Sequence, residues 1–575
     1  MSRSSARSGG SRVMVAQVAV VAMALGGWTV RAAERPNILV ILADDLGYSD
    51  LGCFGGEIAT PRLDALAASG LRFTQCYNSS RCCPSRASLL TGLTAHQAGI
   101  GHFVGTGQLP GYLGRLADHT VTLAEVVGPA GYTPLAVGKW HVNEPGPIAR
   151  GFAEFYGFLH GYGVDAYDQR MMMRLPADRP ERSYAADAYY ATHAITDHAL
   201  DFLASARPAA RPWLLYVAYQ CPHFPVQAPT AARDRYLPVY ERGWDALRAE
   251  RLARMQSLGL LTAQLPLPPR ESIDSPDVAK RLGSLTLDGR NPAWDSLPPA
   301  RRLDLAHRMA TYAAAVEIMD TNIGRLVDSL ADHHELENTL ILFLSDNGAC
   351  GEWDPFGFDL DADDYRGRLR GYGVDGSTPH KPNRLHEGDS LTGMGGPGSM
   401  FSYGCGWASL SNTPLARYKH FAHEGGIRTP LIVHWPARIT EAGGWRRDVV
   451  HVADVMATCV EVAHASYPPV DNRTPPLPLE GKSLVPSLAA DTGVPRTLVF
   501  EHEGHAAIRR GDWKLVASDA LERDGFRPDV CWELYDLATD PAERQNLAAA
   551  NPDLVRELAT KFLTEARRTL IFPRP

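Results

Sequence analysis

The sequence predicts an α/β sandwich followed by a smaller α+β domain. Two observations predict the sandwich: apolar runs that do not alternate with polar residues, and helical segments that lie between those runs. Continuous apolar runs are typical of strands covered on both faces, and strands separated by helices form layered α/β sheets. The third observation is a change of composition near residue 466, beyond which short strands and one helix are predicted.

Four apolar runs are predicted to form buried strands. They are NILVILADD (37–45), WLLYVAY (213–219), LILFLSDNG (340–348) and TPLIVHWP (429–436). The clearest helix is predicted between the second and third of these runs, from about His307 to Leu330, because apolar residues recur there at helical spacing. Those residues are Met309, Tyr312, Val316, Met319, Ile323, Leu326 and Leu330.

The chain is predicted to contain a large domain, a linker and a small domain. The large α/β domain is expected at 34–465, with an insertion at 349–412 that is long for a loop and therefore functional or mobile. A proline-rich linker is predicted at 466–484. Beyond it, RTLVFEHEGHAAIRRGDWKLVA predicts a meander of short strands and PDLVRELATKFLTEARRTL predicts a terminal helix, so 485–575 should form an α+β domain.

Residues 1–33 are predicted to be a signal peptide. Three arginines precede an apolar run from Val13 to Trp28, and cleavage is expected after Ala32 or Ala33. An uncleaved anchor helix is the alternative, which we disfavour because the run is short and interrupted by a glutamine and two glycines. Since no later stretch is long and apolar enough to cross a membrane, we expect a secreted or periplasmic protein.

The bulk composition excludes several classes of protein. The net charge of −8 is mild and no basic run is present, so nucleic-acid binding is not expected. Nine cysteines among 575 residues are too few for a disulfide-based scaffold. Their odd number leaves at least one cysteine unpaired, intermolecular or chemically altered.

Two of the predicted strands end in acidic residues. Asp44 and Asp45 end the first run, and Asp346 and Asn347 end the third. Ligands of open α/β sheets bind beyond the carboxyl ends of the strands, and oxygen ligands of this kind suit Ca²⁺ or Mg²⁺. Each pair alone would more readily be a turn or a helix cap. Their presence at two matching strand ends favours a metal site.

A further segment, RCCPSRASLLTG (81–92), predicts a short helix with Pro84 at its first position and Gly92 at its end. Cys82 would lie just before the helix, where the dipole favours a negative charge, whereas Arg86 in the first turn opposes the dipole. A buried thiol with a surface arginine is one interpretation, and a thiolate nucleophile is another. A soft thiolate, however, does not suit a hard metal ion.

The segment CCPSRASLLTG resembles the C-x-P-S-R…L-T-G motif of the type I sulfatases, and the chain is most similar to bacterial arylsulfatases. In that family the first cysteine is converted to formylglycine. The resemblance implies that Cys82 becomes an aldehyde, hydrated to a geminal diol, through a formylglycine-generating enzyme that acts during maturation. An oxygen would then face the metal ion. Cys83 occupies the free position of the motif.

Further segments resemble the same family in the same order, and they cover most of the chain. They are RPNILVILADDLGYSDLGCFGGEIATPRLDALAASG, VGKWHV (137–142), CPHFPVQAP (221–229), FLSDNG (343–348) and NTPLARYKHFAHEGGIRTPLIVHWP (412–436). The resemblance implies an alkaline-phosphatase-like α/β/α sandwich with a smaller C-terminal α+β domain. It also implies a Ca²⁺ ion whose ligands are Asp44, Asp45, modified Cys82, Asp346 and Asn347.

The resemblance also assigns catalytic roles. Lys139 and Lys419 would hold the sulfate oxygens as point charges, and Arg86 would stabilise the diol. After the diol attacks sulfur, His223 would protonate the departing alcohol. His141 would then take a proton from the remaining hydroxyl, which expels sulfate and restores the aldehyde.

Three functions remain open at this stage. The first is hydrolysis of sulfate esters, either aryl sulfates or sulfated carbohydrates. The second is a phosphodiesterase or phosphonate monoester hydrolase of the same superfamily, because the two tetrahedral anions are similar. The third, a non-catalytic sugar-binding relative, is disfavoured because every catalytic residue type is present at its matching position.

Overall fold

A large mixed sheet forms the centre of the molecule in the computed structural model. The structure describes residues 35–575 apart from 160, 162, 186, 262–264, 274–275, 287, 353, 360–383 and 469–475. The predicted signal peptide therefore lies outside the described residues, as do parts of the predicted insertion and linker.

Ten strands of the described chain belong to the large sheet. They are β1 (Asn37–Asp44), β2 (Leu71–Tyr77), β3 (Thr133–Lys139), β4 (Glu154–Phe158), β5 (Met173–Leu175), β6 (Trp213–Pro222), β7 (Thr339–Ser345), β8 (Arg428–His434), β9 (Gly444–Arg446) and β10 (Val450–His451). Their order is β10-β2-β8-β7-β1-β6-β3-β4-β5, with β9 also paired to β2. The four predicted strands correspond to β1, β6, β7 and β8.

Helices connect the strands of the sheet and cover it. Those of the described chain are α1 (Pro61–Ala68), α2 (Cys82–Thr91), α3 (Leu123–Val127), α4 (Ala191–Ala206), α5 (Thr230–Asp234), α6 (Leu237–Tyr240), α7 (Trp244–Ser257), α8 (Pro276–Leu282), α9 (Pro299–Asp332), α10 (Asp389–Thr392), α11 (Cys405–Ser411), α12 (Glu424–Ile427), α13 (Asp454–Val462), α14 (Val485–Ala489) and α15 (Pro552–Arg568). The predicted long helix corresponds to α9, which begins earlier than its apolar pattern because Pro299 suits the first turn.

Strand β1 lies at the middle of the sheet and contributes to two separate cores. Alternate side chains point to opposite faces of a strand. Leu39 and Ile41 pack in one core with residues of α1, α4, α7 and α9. Ile38 and Val40 pack in the other core with residues of α2, α3 and α13. The sheet is thus covered on both faces, which confirms the predicted α/β/α sandwich and explains the unbroken apolar run.

The parallel neighbours of β1 fix where the strands end. Strand β7 pairs with β1 so that Ser345 lies opposite Ala43, and β6 pairs with β1 so that Pro222 lies opposite Asp44. Strand β3 runs parallel to β6. The carboxyl ends of β1, β3, β6 and β7 therefore meet at one edge of the sheet.

A second, antiparallel sheet follows in the C-terminal part. Its strands form a meander in the order β11-β12-β13-β14 and are β11 (Thr497–His502), β12 (His505–Arg510), β13 (Trp513–Ala517) and β14 (Glu533–Asp536). One face packs on α15, which confirms the predicted terminal helix. The other face contributes Phe500 and Val516 to a small core with Tyr77 and Ile427 of the large domain. The domain boundaries at residues 465 and 485 stay predictions.

The start of α2 differs from the prediction. The helix begins at Cys82 with Arg81 as its N-cap, so Pro84 is its third residue rather than its first. Proline is tolerated throughout the first turn because the N–H groups there have no partner within the helix. Gly92 ends the helix with φ of 72°, as predicted.

Among the described residues, no helix combines the length and the apolarity that a membrane span needs.

Candidate active site

The acidic residues predicted at two strand ends lie next to each other. Asp44 is the last residue of β1, and Asp346 follows β7, the parallel neighbour of β1. Asp45 leaves the strand with φ of 65°, and its backbone N–H donates to Asp346 Oδ1 at 3.3 Å. All three carboxylates are buried. The parallel register thus gathers three carboxylates in the interior at one end of the sheet.

Cys82 faces this group from the first turn of α2. Its side chain is buried, and its sulfur atom, one oxygen of Asp44 and one oxygen of Asp346 lie within 4.8 Å of one another. Cys82 is the first residue of the helix and therefore belongs to the turn whose N–H groups have no partner within the helix. The residue with the most distinctive sequence motif therefore lies at the carboxylate group.

Each carboxylate has a buried cation beside it. Lys139 Nζ lies 2.6 Å from Asp44 Oδ2, and Lys419 Nζ lies 2.9 Å from Asp45 Oδ1. The third pair joins Arg86 Nη2 to Asp346 Oδ2 at 2.7 Å. Arg86 is fully buried, so the alternative that treated it as a surface arginine is wrong. Its pairing with Asp346 explains why the helix tolerates a cation near its N-terminus.

The two predicted histidines lie beside different members of the site. His141 follows β3, and one of its ring nitrogens lies within 4.8 Å of the sulfur atoms of Cys82 and Cys83. His223 follows β6, and its Nε2 lies 3.5 Å from Asp45 Oδ2. The other ring nitrogen of His223 contacts the carbonyl oxygen of Phe224, which holds the ring in place.

Burial and neighbouring charges shift the pKa values at the site in different directions. Burial and the nearby Asp346 raise the pKa of Asp44 well above its usual range. Burial also raises the pKa of Asp45, but Lys419 and His223 outweigh this effect and lower it to about 2. Burial raises the pKa of the Cys82 thiol. The hydrogen bond with Cys83 and the charge of Lys139 outweigh burial and lower this pKa to well below its usual value.

The donor atoms fit a hard metal ion. Among the described residues, Asp44 Oδ1 and Asn347 Oδ1 are buried and make no hydrogen bond. The amide nitrogen of Asn347 donates to Asp45 Oδ1 at 2.6 Å, which fixes the side chain. Buried oxygens without a partner are costly, and a cation would satisfy them. Carboxylate and amide oxygens suit Ca²⁺ or Mg²⁺ rather than a soft metal ion.

Sequence reasoning missed several polar residues around the predicted set. Glu352 Oε1 lies 3.8 Å from Lys419 Nζ, and Cys350 Sγ lies 4.0 Å from the same atom. Arg81, which precedes Cys82, pairs with Glu503 of the C-terminal hairpin at 2.8 Å. The only sequence signal for these residues was their position, because Cys350 and Glu352 closely follow the FLSDNG segment and Arg81 directly precedes the CCPSRASLLTG segment.

Two family models match this chain. The model of the sulfatase family matches residues 36–465. A second family model, described as N-sulphoglucosamine sulphohydrolase, C-terminal, matches residues 417–568. The first match contains all ten residues predicted for the site, and the second contains the antiparallel sheet.

Two relatives are similar over most of their length. The chain is 32% identical to an uncharacterized sulfatase of Schizosaccharomyces pombe over 571 residues, which cover 94% of this chain and 95% of that protein. It is 34% identical to the arylsulfatase of Klebsiella aerogenes over 483 residues, which cover 82% of this chain and 96% of that protein.

Solved structures share the fold. A protein crystallised with k-i-k-neocarrahexaose has a TM-score of 0.60 and 22% identity, covering 93% of both chains. The phosphonate monoester hydrolase of Silicibacter pomeroyi has a TM-score of 0.54 and 19% identity, covering 93% of this chain and 96% of that one. These likenesses establish the alkaline-phosphatase-like fold. The family match over residues 36–465 and the arylsulfatase relative then show that this chain belongs to the sulfatase family and is a sulfuric ester hydrolase.

Proposed function

We propose that this sulfatase cleaves its ester with a formylglycine made from Cys82 and with a bound calcium ion, releasing inorganic sulfate and an alcohol. The observation that carries the proposal is the position of Cys82, whose side chain lies within 4.8 Å of oxygens from Asp44 and Asp346. A thiolate there would face two carboxylates and could not share a hard cation with them. An oxygen at the same position can.

Two absent groups would supply specific chemistry. A calcium ion held by Asp44, Asp45, Asp346 and Asn347 would polarise the sulfate and lower the pKa of an adjacent hydroxyl. A hydrated formylglycine at position 82 would supply two hydroxyls on one carbon, an oxygen nucleophile toward sulfur and a second hydroxyl whose proton can be removed. A maturation enzyme that generates formylglycine is therefore a required partner.

The chain's own cations bind and orient the sulfate. The three carboxylates of Asp44, Asp45 and Asp346 are matched by three cations, Arg86, Lys139 and Lys419, so these six side chains carry no net charge when all are ionised. Any added divalent cation makes the region positive and attracts an anionic ester. The two lysine ammonium groups then hold sulfate oxygens, while Arg86 stays beside residue 82 and fixes Asp346.

The two histidines move protons at defined atoms. His223 uses the ring nitrogen opposite its Phe224 contact to protonate the departing alcohol oxygen. His141, which has a ring nitrogen within 4.8 Å of the side chain of residue 82, takes the proton from the hydroxyl that remains. Two separate histidines allow the acid and base steps to proceed without one ring having to turn between them.

The substrate, the compartment and the domain boundaries belong to the same proposal. Aryl sulfates and sulfated carbohydrates both fit, since the relatives include an arylsulfatase and the fold neighbours include a protein that binds k-i-k-neocarrahexaose. Secretion or periplasmic export, after removal of residues 1–33, would give access to such substrates. The catalytic domain at 34–465 supplies the charges, and the domain at 485–575 closes one side of the site through Glu503.

Parallel assays test the reaction class. Mature, calcium-loaded enzyme should hydrolyse 4-nitrophenyl sulfate far faster than bis(4-nitrophenyl) phosphate or a phenylphosphonate monoester. Cys82→Ala prepared identically is the matched control and should act on none of them. Preference for the phosphate or phosphonate ester would replace the proposal with the phosphoesterase alternative.

A further inference from the structure

We propose a second metal site, for a transition-metal ion such as Zn²⁺, where the C-terminal hairpin meets the loops beside the reaction site. Its ligands are three imidazoles and one carboxylate, from His102, His420, His502 and Glu503. These side chains are separate from the oxygen-rich group at the strand ends. The inference does not rest on the proposed function, because metal binding is measured without turnover.

Three histidine rings converge on the Glu503 carboxylate. His420 Nδ1 lies 2.9 Å from Oε2 of this carboxylate, His502 Nε2 lies 3.5 Å from Oε1, and His102 Nε2 lies 3.7 Å from Oε1. A tetrahedral zinc ion with bonds of about 2.0–2.1 Å holds its ligand atoms roughly 3.4 Å apart. Ligand atoms of His420, His502 and Glu503 all lie within 4.8 Å of one another, so these three side chains need to move little to share one ion, and a movement of the half-exposed His102 side chain would complete the set.

His502 is central to the cluster. Its ring centroid lies 5.4 Å from that of His102 and 5.5 Å from that of His420. The side chain is fully buried, and neither of its ring nitrogens makes a hydrogen bond within the described part of the chain. A buried polar ring without a hydrogen bond requires an explanation, and ligation by a metal ion provides one.

The surroundings support the ligands and leave a route for the ion. Carboxylates that bind a metal ion usually also accept a hydrogen bond from a neighbouring side chain. Arg81 fills this role for Glu503, since its Nη1 lies 2.8 Å from Glu503 Oε1. The His102 side chain is 46% exposed. Glu503 also lines a cavity of about 650 Å³ between the domain of the large sheet and the domain of the antiparallel sheet. An ion can therefore reach the cluster without unfolding of the chain.

The chemistry of the two sites selects different ions. Imidazole nitrogens suit zinc and its neighbours among the transition metals, whereas the carboxylates and amide at the strand ends suit calcium. An ion on the histidine cluster would fasten the β11–β12 hairpin to Arg81, which precedes Cys82, and to His420, which follows Lys419. Occupancy of this site would thus stiffen the mouth of the reaction site.

Metal titration of the full-length protein, saturated with calcium beforehand, tests the site. Zinc content after dialysis, measured by mass spectrometry of the metal, should be one equivalent in the wild type and also in Cys82→Ala, which removes the nearby reactive thiol. Cobalt bound in place of zinc should give the intense visible absorption of a tetrahedral nitrogen-rich site. His502→Ala, Glu503→Gln and His102→Ala should each weaken zinc binding at least about tenfold.

His505→Ala is the matched control. It lies on the same hairpin, but its Nδ1 accepts a hydrogen bond from the Asp519 backbone N–H, so zinc binding should be unchanged. The half-exposed His102 can be replaced without unfolding the core, which keeps the test decisive if the His502 variant does not fold. Absence of zinc from calcium-loaded wild type, or wild-type affinity in the His102 and Glu503 variants, would overturn the site.

Discussion

Buried charges occur in two regions of this molecule, at the strand ends and at the junction with the C-terminal sheet, and the two regions differ in how fully those charges are satisfied. At the junction, Lys514 Nζ lies 2.9 Å from Glu424 Oε1 and 2.8 Å from Glu543 Oε1. The other oxygen of Glu424 accepts a hydrogen bond from the Tyr77 hydroxyl at 2.8 Å. Both oxygens of Glu424 are thus engaged by protein atoms.

At the strand ends, Asp44 pairs with Lys139 through one oxygen, while its other oxygen makes no hydrogen bond within the described chain. Asn347 likewise has an oxygen without a hydrogen bond. The same residue types therefore serve two purposes. The junction uses its charges to hold the small domain in place, and the strand ends keep oxygen atoms available for a cation and a reaction.

Loss of the side chain at position 82 should have the largest effect. Cys82→Ala removes the precursor of the nucleophile, so turnover of an aryl sulfate should fall on the order of 10⁴-fold or more. The thermal unfolding temperature should change little, because the substitution leaves the junction untouched. Steady-state kinetics and calorimetry measure the two quantities.

Cys83→Ala is the matched substitution, one residue along the same buried helix turn. It should keep most of the activity, since the free position of the motif carries no chemistry. Equal loss in both variants would mean that the turn needs both thiols for packing.

The second prediction separates the two charged regions. Asp346→Asn removes one carboxylate charge from the strand ends, leaving Arg86 without its partner, and should reduce both the calcium content and the activity at least about tenfold. Metal analysis after equilibrium dialysis gives the calcium content. Full calcium occupancy in this variant would contradict the assignment of Asp346 as a ligand.

The third prediction concerns the junction. Glu424→Gln removes a carboxylate charge buried between Lys514 and Arg428 and should destabilise the protein by about 3–5 kcal/mol, because it leaves Arg428 without this carboxylate and Lys514 with Glu543 alone. Calcium content should stay at the wild-type level. Urea denaturation and metal analysis of the same sample check this result. If the substitution disrupted the whole fold, both the free energy of unfolding and the calcium content would fall.

Acid should weaken the same junction. Burial raises the pKa of Glu424, but Lys514 and Arg428 outweigh burial and lower it to about 2, below its ordinary value of 4.5. A carboxylate with a depressed folded-state pKa stabilises the protein above its ordinary value, and this stability is lost as pH falls towards the folded-state value. The urea concentration at the midpoint of unfolding should therefore fall as the pH is lowered below about 5. This fall should be less steep in Glu424→Gln than in the wild type. Identical slopes would show that other groups govern acid unfolding.

The sequence predicted the fold and the strand-end residues because both have local signals. Unbroken apolar runs indicated strands that are buried on both faces. Acidic residues directly after β1 and β7 indicated the edge of the sheet where those strands end. Pairings between distant residues had no such signal. Arg86 and Asp346 are 260 residues apart, and Lys514 and Glu424 are 90 apart, so only the strand register and the docking of the second sheet bring each pair together.

The sequence contains 20 histidines, but their grouping in space could not be seen in it. His102 and His420 each lie in a loop far along the chain from the β11–β12 hairpin, and neither lies in a motif that would mark it as a ligand. The start of α2 was misplaced by two residues because proline is tolerated anywhere in the first turn.

The central claim is that residue 82 of the active enzyme carries an aldehyde. Mass spectrometry of the proteolytic peptide containing residue 82, from enzyme whose activity on an aryl sulfate has been measured, tests it most directly. We expect loss of the cysteine sulfur and gain of a carbonyl in a fraction of molecules that rises with specific activity. An intact thiol at position 82 in fully active enzyme would contradict the account.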